Sequence, residues 1–151
     1  MLQIGNAGLS LDEARSHFSA WAVIASPLLI GADVVSGLDA DILAILTAPE
    51  VIGVSQDALG VQGVRVSTPT PAGSECWARP LADGGVAALL LNRALGVADA
   101  TCTFEELGLK NPNATAKVRD LWARADLGVF SNAFTAKGLA GHASMLVKVS
   151  Q

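Results

Sequence analysis

Apolar positions change rhythm along this chain, from steps of three and four residues before Gly60 to steps of two after it. In the first part Ser10 and Glu13 form a capping box, in which the serine oxygen takes one orphan helix N–H and the glutamate reaches back for another. Ala14, Phe18, Trp21, Ala22 and Ala25 then mark one face of a helix predicted from Leu11 to Ala25 and stopped by Pro27. Pro27 to Gly31 is a continuous apolar run, the signature of a strand buried on both faces in a parallel sheet. Asp39 can cap a second helix through Ile42, Leu43, Ile45 and Leu46, which Pro49 bounds. This strand and helix alternation is that of βα units, and two such units cannot close a barrel.

Beyond Gly60 the alternation has period two. Glu75 to Arg79, Gly85 to Asn92, Ala100 to Phe104, Lys117 to Trp122 and Ser144 to Val149 are strand candidates, with Asp83-Gly84-Gly85 as a hairpin turn. In the last of them Met145, Val147 and Val149 share one face and Lys148 takes the other, so this half reads as an antiparallel sandwich with its own core. The stretch Ser67 to Gly73 lacks periodicity and is expected to be a loop, and the domain change falls near Gly60 to Gly63.

Half of the residues are apolar and 16% are charged, which excludes a disordered chain. A net charge of -4 with no run of Lys or Arg argues against a nucleic-acid partner. Trp21 to Val35, the longest greasy stretch, is broken by Ser26, Pro27, Gly31 and Asp33 and is too short to cross a bilayer, so no membrane partner is expected. No signal peptide opens this chain. Cys76 and Cys102 match no zinc spacing; each lies in a strand-like run, where a buried free thiol is the commoner state, and a bridge between them stays open. Asn113-Ala114-Thr115 is a glycosylation sequon, which makes Asn113 a candidate acceptor and fits a secreted, vacuolar or lysosomal protein.

Met1-Leu2-Gln3-Ile4-Gly5-Asn6, Gly8-Leu9-Ser10 and Ser26-Pro27-Leu28-Leu29-Ile30-Gly31 with Asp33 resemble the end of the catalytic barrel of glycoside hydrolase family twenty-seven, the α-galactosidase (melibiase) group. The resemblance continues through Glu50-Val51-Ile52, Gln56-Asp57 and Gln62-Gly63. It reappears in Trp77-Ala78-Arg79-Pro80-Leu81, Leu91-Asn92-Arg93 and Val118-Arg119-Asp120-Leu121-Trp122, with His142 ahead of the final strand. It implies an α/β remnant, the last βα units of an eightfold β/α barrel over residues 1–62, followed by an all-β antiparallel sandwich over 63–151. It also implies hydrolysis of terminal α-D-galactosides with retention, which needs two carboxylates about 5 Å apart, one as nucleophile and one as acid/base. In the family both are aspartates upstream of anything matching Met1, and none of the fourteen acidic residues here matches them. No cofactor is implied, and the partner is a galactoside bound by the complete barrel. Met1 alone carries over from the galactose pocket, where an aspartate immediately precedes it; Met1 is then an internal methionine or the edge of a partial gene. Ala32, Ser55 and Ala58 depart from the residues usual in the family.

Asp33 follows the buried strand at the edge where βα barrels keep their chemistry, so it is a candidate pocket residue; ordering its own loop is the commoner role. Asp57 is read as a cap or turn residue, and His17 and His142 as surface or hydrogen-bonded histidines with no metal cluster around them. Trp77 and Trp122 could stack on a sugar but are expected to fill the sandwich core, while Arg79, Arg93 and Arg119 are read as surface or interface ion pairs. Two other functions compete: a non-catalytic carbohydrate-binding or structural sandwich module, and an α-N-acetylgalactosaminidase-type relative. An incomplete barrel is also expected to leave the Ala14 to Ala25 stripe and the Leu28 to Ile30 strand uncovered, so that residues before Gly60 are loosely ordered.

Overall fold

The computed structural model describes residues 1–67, 73–109, 111, 113 and 115–151. Three helices come first, α1 (Leu11–Val23), α2 (Ala40–Leu46) and α3 (Pro49–Ser55). Eight strands follow: β1 (Val64–Arg65), β2 (Ser74–Pro80), β3 (Val86–Asn92), β4 (Ala98–Thr103), β5 (Thr115–Asp120), β6 (Ala125–Ser131), β7 (Ala133–Leu139) and β8 (Ser144–Ser150). They form an antiparallel six-stranded sheet in the order β1-β2-β3-β8-β5-β6 and a two-stranded sheet of β4 and β7. The loop expected at Ser67 to Gly73 lies mostly outside the described residues.

The centre of the large sheet is buried on both faces. Ala88, Leu90, Val147 and Val149 point toward the small sheet and meet Ala100, Cys102, Phe134 and Ala136. Ala87, Leu89 and Leu146 point the other way and meet Ala14, Phe18, Ala22 and Val23 of α1, with Ile45 and Val51 of α2 and α3 behind them. This is why β3 reads as an almost continuous apolar run: a strand covered on both sides has no polar face to show. The arrangement therefore has three layers, and it corrects the expectation that the α1 stripe lies uncovered. Phe18 and Ala22 are fully buried because the sheet takes the place of barrel neighbours.

The strand expected at Pro27 to Gly31 is overturned. Only a single parallel bridge, Leu2 to Ile30, is present, and Leu29 and Ile30 are 60% and 47% exposed. A buried parallel strand needs a partner on each side, and here there is one. α1 carries the predicted capping box, with Ser10 Oγ accepting from Glu13 N–H and Glu13 accepting from Ser10 N–H at 2.9 Å. Asp39 caps α2, accepting from Asp41 N–H at 2.8 Å. Pro49 does not merely bound α2; it opens α3 at the first turn, where its missing N–H costs nothing.

Two further corrections concern the joint. Cys76 and Cys102 are bonded, with Cα atoms 5.5 Å apart, and tie β2 of the large sheet to β4 of the small one. Arg79 is neither a surface nor an ion-paired residue: it is 1% exposed and donates from Nη1 to Ala22 O at 2.6 Å, at the C-terminal turn of α1. That turn contains no basic residue of its own, so a cation from the sandwich answers the negative end of the helix dipole. Beside it Gly63 donates to Val23 O at 2.9 Å, and a Cβ there would meet that oxygen at 2.6 Å and Ala78 O at 2.9 Å. Only glycine lets the connecting segment pass this closely.

The three layers should therefore unfold together. Phe18→Ala is expected to lower stability by about 3–5 kcal/mol, measured by urea denaturation, with tertiary signals of helices and sandwich lost in one transition. Two separated transitions would overturn the shared core. Closing a 26-residue separation, the disulfide is expected to contribute about 3.5 kcal/mol on the chain-entropy argument. Comparing the chain with and without reductant in the same assay checks that figure.

Candidate functional site

The edge singled out by the sequence is built from the ends of two short extended segments. Leu2 N–H donates to Leu29 O at 2.7 Å, which sets the segments side by side and parallel. Their continuations, from Gly5 and from Gly31, form the loops that in a βα unit carry chemistry. Gly5 has φ 92°, and a Cβ on it would meet Ala32 Cβ at 2.7 Å, so the two loops touch through a position that needs glycine. Met1 is 80% exposed and lies against Gly31. Asp33 is exposed two residues on, and both its oxygens are used: Oδ1 accepts from Val35 and Ser36 N–H and Oδ2 from Ser36 Oγ at 2.7 Å. Those bonds, led by the Ser36 hydroxyl, hold its pKa below the ordinary aspartate value.

Elsewhere the acids serve the scaffold. Asp57 Oδ1 accepts from Leu59 and Ala82 N–H, tying the end of the helices to the sandwich. Glu50 on α3 takes a two-pronged bond from Arg119 on β5, at 2.9 and 2.7 Å, and Arg119 also reaches Asp126 at 2.9 Å. Glu75 is buried, which works against its ionisation. Bonds from Trp77 Nε1 and Arg93, with the charges of Arg93 and Arg65, outweigh burial and lower its pKa. Among the described residues every carboxylate except Asp12, Asp41 and Glu105 accepts a hydrogen bond or ion pair of this structural kind. Asp12 and Asp41 lie in the first turns of α1 and α2, where their charge suits the helix dipole. No three His, Cys, Asp or Glu of the described residues converge in a way that could hold a metal ion.

Trp77 and Trp122 do not fill the interior between the sheets. Both pack, half-buried, against the helix-facing core, and Trp122 Nε1 donates to Ser19 Oγ on α1 at 3.0 Å. The interior is filled by Phe104 and Phe134 with the disulfide. Asn113, the sequon residue, is exposed in a turn. The residue that sequence reasoning missed is Asn92, buried at the end of β3. Its Nδ2 donates to Gly96, Leu139 and Ala140 O and its Oδ1 accepts from Ala94 N–H, so one side chain pins two loops. A polar residue ending a seven-residue apolar strand was the available signal.

One histidine bonds across the seam and the other within the helical part. His142 Nδ1 lies 2.8 Å from Glu13 Oε1, so Glu13 at once caps α1 and holds the loop before β8. Bonds from Ser10 N–H and then His142 take the Glu13 pKa down to about 2 from 4.5. His17 Nε2 accepts from Gln3 N–H at 3.2 Å and its ring lies 4.2 Å from that of Trp21. Burial, followed by the nearby chain amino group, lowers the His17 pKa below 6.5.

Because the unfolded His17 takes up a proton first, the folded state is expected to lose stability as pH falls below 6.5, a loss complete once pH passes the lowered folded value. His17→Gln, which keeps an acceptor, should flatten that slope in thermal melts; an unchanged slope would reject His17 as the source. Glu13 acts in a separate window, since its contribution is present above 4.5 and lost between there and about 2.

Residues 1–57 match the family described as Alpha galactosidase A, and residues 72–149 match the Alpha galactosidase C-terminal beta sandwich domain. An alpha-galactosidase of Cyamopsis tetragonoloba is 39% identical over 137 residues, covering 91% of this chain and 32% of the relative. One from Oryza sativa subsp. japonica is 45% identical over 125 residues, covering 83% and 29%. The crystal structure of alpha-galactosidase I from Mortierella vinacea superposes with a TM-score of 0.88 at 31% identity, over 99% of this chain and 38% of that one. A family twenty-seven β-L-arabinopyranosidase from Geobacillus stearothermophilus gives 0.84 at 27%, over 95% and 31%. The chain thus spans about a third of the length of the curated relatives it matches. With barrel-end and sandwich matches in order along one chain, this protein belongs to the α-galactosidase (melibiase) family, glycoside hydrolase family twenty-seven, and corresponds to its C-terminal part.

Proposed function

We propose that this chain is the C-terminal part of an α-galactosidase that hydrolyses terminal α-D-galactosides with retention, its two catalytic aspartates lying in the barrel segment upstream of Met1. The observation that carries this reading is the ordered match of residues 1–57 and 72–149 to the two family segments. The commitment of nearly all the described carboxylates to caps, turns and ion pairs supports it, because a nucleophile and an acid/base must be free to face substrate. On this reading residues 1–62 contribute the last βα units and 63–151 the sandwich beneath them. Met1 lies against the galactose, and Asp33 serves the pocket by fixing the loop beside it. The buried disulfide and the exposed Asn113 support passage through an oxidising, glycosylating compartment to a secreted, vacuolar or lysosomal destination.

The isolated 151-residue chain is expected to show no turnover of p-nitrophenyl α-D-galactoside. The same chain joined to the barrel segment encoded in frame before it should release galactose with the α configuration first, followed by NMR. Turnover by the 151 residues alone, or an inverted first product, would overturn the assignment.

A further inference from the structure

A cleft of about 350 Å³ opens on the seam between α1, the α2 to α3 connection and the turn after β5. Ile45, Pro49, Leu121 and Trp122 line it together with Arg15 and Arg124. The indole is a fixed surface, since Nε1 is bonded to Ser19 Oγ. Neither guanidinium has a hydrogen-bond or ion-pair partner among the described residues, whereas Arg65, Arg93, Arg119, Lys137 and Lys148 are all ion-paired. Apart from Asp12 on α1 and Asp41 on α2, the acids of the neighbourhood are engaged. Glu50, whose charge Arg124 also feels, gives both oxygens to Arg119; Asp126 pairs with Arg119; Asp120 accepts from Trp122 and Ala123 N–H.

Two free guanidinium groups over an apolar slot, in a chain of net charge -4, form a local positive site with an aromatic wall. Guanidinium forks match carboxylate geometry, and the slot offers the rest of such a ligand apolar contact and an aromatic face. We infer that this cleft is a binding site for a small organic carboxylate with a flat apolar body, held by Arg15 and Arg124 and packed against Trp122. The cleft shares no lining residue with the Met1 and Asp33 edge.

The test is calorimetric titration of the 151-residue chain with 2-naphthoate, with its neutral isostere 2-naphthalenemethanol, and with inorganic phosphate. Saturable binding of naphthoate is expected, weakened at least tenfold in the Arg15→Gln/Arg124→Gln variant and at least tenfold for the neutral isostere. Both arginines are exposed and unbonded, so the variant should melt like the parent. Naphthoate that fails to saturate, or binds the variant as tightly as the parent, overturns the site. Phosphate binding as tightly as naphthoate overturns the flat-bodied ligand, leaving no role for Trp122.

Discussion

The burial of the outer face of the large sheet beneath α1 is the constraint on which the rest depends. Leu89 and Leu146 would otherwise meet water, and so would Phe18 and Ala22; each surface is completed only by the other. Polar contacts then fix the register of this joint. Arg79 reaches the last turn of α1, Glu13 and His142 close its first turn, and Glu50 with Arg119 clamp α3 to β5. Their chief effect is to specify orientation, because exposed ion pairs add little stability while the apolar area supplies the attraction.

On the other face the small sheet has only two strands, too few to be stable alone. It is held by the aromatic rings of Phe104 and Phe134 and by the Cys76–Cys102 bond. The large sheet thus mediates between the two outer layers, and none of the three is an independent folding unit on these contacts.

Much of this was legible in the sequence. The helix starts at Ser10 and Asp39, the five strongest strands and the facing of Met145, Val147 and Val149 all follow from local patterns. β6 and β7 were missed because one lies at a sheet edge and the other in the small outer sheet; in β6 the alternating Ala125, Leu127 and Val129 stay exposed, with Gly128 between the last two. The Pro27 to Gly31 run misled because its apolar character suits a neighbour that this chain does not contain among its described residues. The bond between the cysteines depends on two sheets meeting face to face, which no local spacing encodes. At the candidate edge, the turn formed by Asp33 is a local pattern, while the contact of Gly5 with Ala32 is not.

The order of the strands also bears on how the protein is made. β8 lies at the centre of the large sheet, between β3 and β5, yet it is translated after every other strand. Until it emerges from the ribosome, β3 lacks one of its two neighbours along Val86 to Leu91 and α1 lacks Leu146 beneath it. The nascent chain therefore carries β3 paired to β2 along one edge but open along the other until residues 144–150 are made, an open apolar edge of the kind that chaperones shield.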